Sequence, residues 1–115
     1  MYFLSEPQPT KRMEFQWETG NLKHIMEDYP DRSNSVEEVE SVFSDPHVNI
    51  QPSRTETDGE PRFIATGLGL SGTVRSVIFV FRDNKIRPIS CWPSNRRARK
   101  RYDESIRQEE DGHQE

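Results

Sequence analysis

The chain has little of what usually fixes a small fold. It holds one cysteine, Cys91, among 115 residues. No disulfide can therefore form within it, and no cysteine-based zinc site can assemble. Only 30% of the residues are hydrophobic, and they gather at 36–43, 62–70 and 74–92. A small, local core is expected, marginally stable alone or supported by a partner. No run approaches the roughly 18 apolar residues of a membrane helix. The opening MYFLSEPQPTKR lacks a basic stretch followed by an apolar one, which argues against a signal peptide. A cytoplasmic protein without membrane contact is the expectation. Gly67, Gly69 and Gly72 mark turns but lead into no GK[ST], so they form no phosphate loop. His47 and His113 show no metal-ligand spacing, and neither a metal nor a small-molecule cofactor is expected.

Charge is abundant but segregated. Residues 1–81 hold 7 Lys/Arg against 13 Asp/Glu, a net −6. Residues 82–107 hold 9 against 3, a net +6, and 108–115 add four acids. The overall −4 therefore hides a basic C-terminal third, where the local field decides what binds. Within it, Trp92 ends an apolar strand, and Pro93, Ser94 and Asn95 open a helix. The first turns of that helix carry Arg96, Arg97, Arg99, Lys100 and Arg101. Cations near a helix N-terminus oppose the macrodipole. Five of them there suggest an anion, either a phosphate or the acidic surface of a partner.

Residues 1–12 read as a flexible leader, 13–108 as a single domain and 109–115 as a disordered acidic tail. Met13–Trp17 alternates apolar and polar side chains, as a half-buried strand does. Leu22, Ile25, Met26 and Tyr29 share one face of a helix that Pro30 should stop. Ser35 and Glu38 have the spacing of a capping box before the apolar face Val36, Val39, Val42 and Phe43. Asp45-Pro46 ends that helix. A weak strand and a polar loop around Asp58-Gly59 follow. Arg62–Leu68 can form a strand, and Val74–Phe81 should be a central one. Asp83-Asn84 suits a two-residue hairpin turn. Lys85–Trp92 pairs back, with Pro88 making it an edge or an irregular strand. The last helix runs from about Ser94 to Gln108, with Ala98, Tyr102 and Ile106 as its apolar stripe. Three charge pairs, Arg99–Asp103, Lys100–Glu104 and Asp103–Arg107, support it. The sum is α+β: an antiparallel sheet of about four to five strands, two N-terminal helices and one C-terminal helix.

Several blocks, taken in order, resemble the BrnT family. They are Phe15-x-Trp17, Asn21-Leu22-Lys23-His24 and Val36-Glu37-Glu38-Val39-Glu40-x-Val42-Phe43-x-Asp45-Pro46. Gly59-Glu60-x-Arg62-Phe63-Ile64 with Gly67 follows, then Ile86-Arg87-x-Ile89-Ser90 and a basic helix reaching Tyr102. The likeness covers about 13–104. It implies a RelE-like fold and a type II toxin that cleaves RNA without a metal and arrests growth. It also implies a cognate BrnA-like antitoxin that neutralises the toxin and helps repress their operon. The chain departs from the pattern in three places. Trp92 stands where the family usually has Arg, and Ala98 where it usually has Glu. The loop 27–35 is longer and lacks the common His-Gly.

That chemistry needs a base near the 2′-hydroxyl, cations around the scissile phosphate and an acid for the leaving oxygen. Arg62 and Arg87, on strands that look adjacent, suit the phosphate because the guanidinium forks onto two oxygens and stays charged. Each could equally be an ordinary solvent-facing strand residue. His24, Lys23 and Glu60 are candidates for moving protons, with Glu60 also able to orient Arg62. Trp92 and Tyr102 could stack on bases, although Tyr102 also suits packing of its helix on the sheet. Arg96, Arg97, Arg99 and Lys100 would hold flanking phosphates. The rival reading is a fold that has lost catalysis and binds a protein or nucleic acid, motivated by Trp92 and Ala98. An unrelated α+β structural protein is the third.

Overall fold

The structure, a computed structural model, describes residues 13–53 and 59–112. The expected leader, part of the polar loop and the last residues of the acidic tail lie outside the described residues. The chain runs through α1 (Thr19–Leu22), a π-helical turn (Lys23–Glu27), a 3-10 turn (Pro30–Arg32) and α2 (Val36–Ser44). Strands β1 (Asn49–Pro52), β2 (Phe63–Leu68), β3 (Val74–Arg82) and β4 (Lys85–Pro93) follow, then α3 (Arg96–Gly112). The four strands form an antiparallel sheet in the order β1-β2-β3-β4.

The β3–β4 hairpin forms as its sequence requires. Asp83 and Asn84 take φ of 57° and 62°, the left-handed pair of a type I′ turn. Pro88 has the expected effect: the register slips between Ile78 and Phe79, whose partners are Ser90 and Pro88. Ile89 is the bulged residue, and β4 lies at the sheet edge.

The strand expected at 13–17 shrinks to one parallel bridge, Phe15 to Ile86. Ile86 N–H donates to Glu14 O at 2.9 Å, and Gln16 N–H donates to Ile86 O at 2.8 Å. The next rung would need an N–H from Pro88, which has none. The Asn21 side chain stands in for it, its Nδ2 donating to Gln16 O (3.1 Å) and Pro88 O (2.9 Å). Asn21 belongs to α1, so the chain has already turned into a helix.

The first helical region also differs. It opens as α1 but widens into the π turn, closed by Asp28 N–H on Lys23 O at 3.0 Å. Of the expected apolar face, Ile25 is buried while Tyr29 is exposed beneath the Arg32 guanidinium. In α2, half of the capping box is made. Ser35 Oγ accepts Glu38 N–H at 3.0 Å, but the Glu38 carboxylate turns away to Arg75 and Ser71.

Alternation divides the sheet into two faces. On one, Ala65, Val77, Phe79, Ile86 and Cys91 pack against Ile25, Val39, Val42 and Phe43 to form the core. Phe43, Phe63, Phe79 and Phe81 make edge-on and stacked ring contacts along it. A Cβ on Gly67 would come within 2.9 Å of Val42 O, so glycine there lets α2 lie close to β2. The other face carries Ile64, Thr66 and Ser76, and α3 lies over it through Ala98, Arg101 and Tyr102.

Candidate nucleic-acid interface

The face under α3 gathers many of the candidate residues. Arg87 pairs with Val80, and Phe63 with Phe79. Continuing that register sets Arg62 opposite Val80 from the other side. Directly opposed residues share a face, so Arg62 and Arg87 flank Val80 on one surface. They are not on adjacent strands, as the sequence suggested. β3 lies between them, and two strand spacings separate their backbones by roughly 9–10 Å. Trp92 pairs with Ser76 and lies half-buried on this same face.

Arg87 is held from outside the sheet. Its Nη1 donates to Gln16 Oε1 at 2.8 Å and to Glu18 Oε1 at 2.9 Å. The Arg87 side chain is only 15% exposed, against 63% for Glu18, so the guanidinium is fixed by an exposed carboxylate. Glu60 takes a two-pronged ion pair from Arg82, at 2.9 and 3.2 Å. Arg62 is half-buried, just before β2.

Lys23 and His24 do not join this group. Lys23 Nζ lies 2.9 Å and His24 Nδ1 3.4 Å from the Asp28 carboxylate. The hydrogen bond to Asp28 holds the Lys23 ammonium above its ordinary pKa. The π turn that carries both residues buries Ile25 in the core on the opposite face from Trp92.

Arg96, Arg97, Arg99, Lys100 and Arg101 are all exposed on α3. Among the described residues no ion pair engages them, and the expected pairs with Asp103 and Glu104 do not close. The helix starts later than expected. Asn95 is the cap, its Oδ1 accepting Ala98 N–H at 2.8 Å. Ser94 is buried, prolonging the β4 ladder through Val74 O (2.8 Å) and meeting Ser76 Oγ at 2.7 Å. The helix also runs on to Gly112, beyond the expected end at Gln108.

Tyr102 is 5% exposed, so its ring is not offered to a base, and stacking on RNA is corrected to packing under α3. Its hydroxyl donates a short hydrogen bond to Asp45 Oδ2. Burial and the neighbouring carboxylate push the phenol pKa far upward, and it stays a donor. Asp45 also accepts Leu68 N–H (2.8 Å) and His47 N–H (2.9 Å). Burial alone would raise the Asp45 pKa, but these bonds outweigh it and hold it below the ordinary value. One carboxylate thus ties the end of α2 to β2 and α3.

Sequence reasoning read Asp45 only as a helix stop and missed Gln16 and Glu18. It also missed the buried pair Arg75–Glu38, although an arginine inside VRSVIFVF was the signal that a carboxylate had to be near. Cys91 is no nucleophile: burial, only partly offset by Arg75, pushes its thiol up to about 11. Among the described residues no three His, Cys, Asp or Glu side chains are grouped to hold a metal, and no helix is long and apolar enough to cross a membrane.

Residues 27–101 match the family described as the ribonuclease toxin, BrnT, of type II toxin–antitoxin systems. No curated protein matches the chain.

Proposed function

Because the chain belongs to the BrnT family of ribonuclease toxins of type II toxin–antitoxin systems, we propose that it is a metal-independent endoribonuclease that arrests growth until a BrnA-like antitoxin neutralises it. Family membership supplies an RNA target and an antitoxin partner. One observation supports the site: Arg62, Arg87 and Trp92 share the sheet face on which α3 packs, and the α3 cations are exposed and, among the described residues, unpaired.

In the proposed reaction the 2′-oxygen bonds to phosphorus and the bond to the 5′-oxygen breaks. Arg62 and Arg87 hold the scissile phosphate and take up the charge that develops on its oxygens. The tether to Gln16 and Glu18 keeps Arg87 oriented before RNA arrives, which lowers the cost of assembling the site. Glu60, at the arginine end of this face, is assigned to take the 2′-hydroxyl proton and to return it to the departing 5′-oxygen. Lys23 and His24 come after it because their turn packs on the opposite face of the sheet. Trp92 supports a base by stacking, and Arg96, Arg97, Arg99 and Lys100 hold flanking phosphates.

The test uses protein from cell-free synthesis, incubated with RNA and a chelator. RNA is expected to be cut in the chelator's presence, and induced expression to arrest growth. Arg87→Ala should lower cleavage by about 10²–10³, the usual cost of removing one transition-state donor. Its circular dichroism should stay native. Arg87→Lys keeps the charge without the fork and should recover little. A folded, fully active Arg87→Ala protein would refute the assignment. Intact RNA with wild-type protein would favour the binding-module reading.

A further inference from the structure

The two amides of β1 have no task in the fold. Asn49 pairs with Thr66 and Gln51 with Ile64, so both side chains stand on the face under α3. There they border a cleft of about 50 Å³ with Ile64, Thr66, Arg101 and the buried ring of Tyr102. Among the described residues, the side chains of Asn49, Gln51, Thr66 and Arg101 make no hydrogen bond or ion pair. Ser76, on the cleft floor, is already engaged with Ser94 at 2.7 Å, and Tyr102 with Asp45. The cleft therefore has an apolar wall, two amides carrying both donors and acceptors, and one arginine at its rim.

These features suit one ligand class. An amide matches the mixed donor and acceptor pattern of a base edge, which is how single-stranded RNA is read. Ile64 offers an apolar wall to the ring, and Arg101 a fork for a phosphate. At about one water per 10–15 Å³, the cleft has room for a few waters, or for the edge of one six-membered ring. A purine would protrude.

We propose that the cleft between α3 and the β1–β2 edge is a base-reading subsite that takes the edge of one unpaired pyrimidine nucleotide, with Arg101 on its phosphate. The proposal rests on the ribonuclease reading and adds to it where sequence preference originates.

Two measurements separate the subsite from that reading. In the first, RNA ends left by the wild type and by Asn49→Ala/Gln51→Ala are mapped by sequencing. The wild type should favour a pyrimidine at one fixed position relative to the cut. The double variant should lose that preference by about three- to tenfold per amide, while still cutting RNA. Both positions are on an edge strand and not buried, so the fold should survive, as its melting temperature will show. In the second, cytidine and uridine monophosphates are titrated into labelled wild-type protein. Saturable shifts should appear at the amide side chains of Asn49 and Gln51 and at Arg101, and weaken in Arg101→Gln.

An unchanged cleavage preference in the double variant overturns the subsite and leaves the ribonuclease reading intact. Pyrimidine nucleotides that bind a wild type unable to cut RNA leave the subsite standing and overturn that reading. Absent shifts, or a response to purine monophosphates as strong as to pyrimidines, overturn the pyrimidine assignment.

Discussion

Arg75 is 4% exposed on β3, and Glu38 is 5% exposed beneath it. Their ion pair, Nε to Oε2 at 2.7 Å, is completed on both sides. Arg75 Nη1 donates to Arg32 O and Asn34 Oδ1, each at 2.9 Å, and Glu38 accepts Ser71 N–H and Oγ–H. A buried pair adds little over an apolar one, but losing one member strands the other. Arg75→Met should therefore cost about 3–5 kcal/mol, read from the urea midpoint, and adding Glu38→Met should restore much of it. A Cβ at Gly69 would sit 2.2 Å from Glu38 Oε2, so this carboxylate also dictates a glycine far along the chain. Acid acts on the same groups. Burial raises the Glu38 pKa, but the hydrogen bonds from Ser71 and Arg75 hold it lowered, and Asp45 is lowered too. A folded pKa below the unfolded value means that the unfolded chain takes up protons first. The stability from both carboxylates is present above about pH 4, the ordinary carboxylate range. It is lost as the pH falls through their lower folded values. Melting temperature should drop steeply there, and less steeply in Glu38→Gln.

Among the elements, those specified by neighbouring residues were legible and those specified at long range were not. The turn at Asp83-Asn84, the bulge beside Pro88 and the cap at Ser35 each follow from a few consecutive side chains. The truncated strand at 13–17 did not, because its missing rung depends on Pro88, far along the chain. The burial of Tyr102 depends on Asp45, 57 residues away, and spacing alone could not distinguish a ring that packs from one that stacks. The site was half legible for the same reason. Strict alternation would put Arg87 and Trp92, five residues apart, on opposite faces, and the bulge at Ile89 brings them to one. Asp28, one helical turn past His24, was a local partner that sequence reasoning passed over, whereas the tether of Arg87 to Gln16 spans 71 residues. Helix α3 carries its cations at the surface as the sequence suggested, although the expected charge pairs do not close. Its cations are exposed and unpaired among the described residues, so replacing Arg96, Arg97, Arg99 and Lys100 with Gln should leave the fold unharmed. It should ease the clash with the macrodipole by a few tenths of a kcal/mol per residue. Single-stranded RNA affinity should weaken, and the slope of log K against log salt should flatten by roughly 0.7 for each phosphate no longer neutralised. A slope that does not move would detach α3 from RNA.

Across the whole molecule, each strand pairs with the next in sequence, and helices cover both faces. Such a meander is built from pairings close in sequence, whose loop-closure cost is low. The exception is the bridge that ties Phe15 to Ile86, joined by the bond from Arg87 to Gln16 across 71 residues. The order of assembly follows from this difference. The hairpins zip first, and the N-terminal segment closes last against a finished β4, so it is also the first to let go in native fluctuations. The Ile86 amide, whose acceptor is Glu14, should exchange with deuterium well before that of Val77 within the core. Each such opening releases Arg87 from Gln16 and Glu18, so the clock of hydrogen exchange at Ile86 also times how often the arginine proposed to hold the scissile phosphate is set loose.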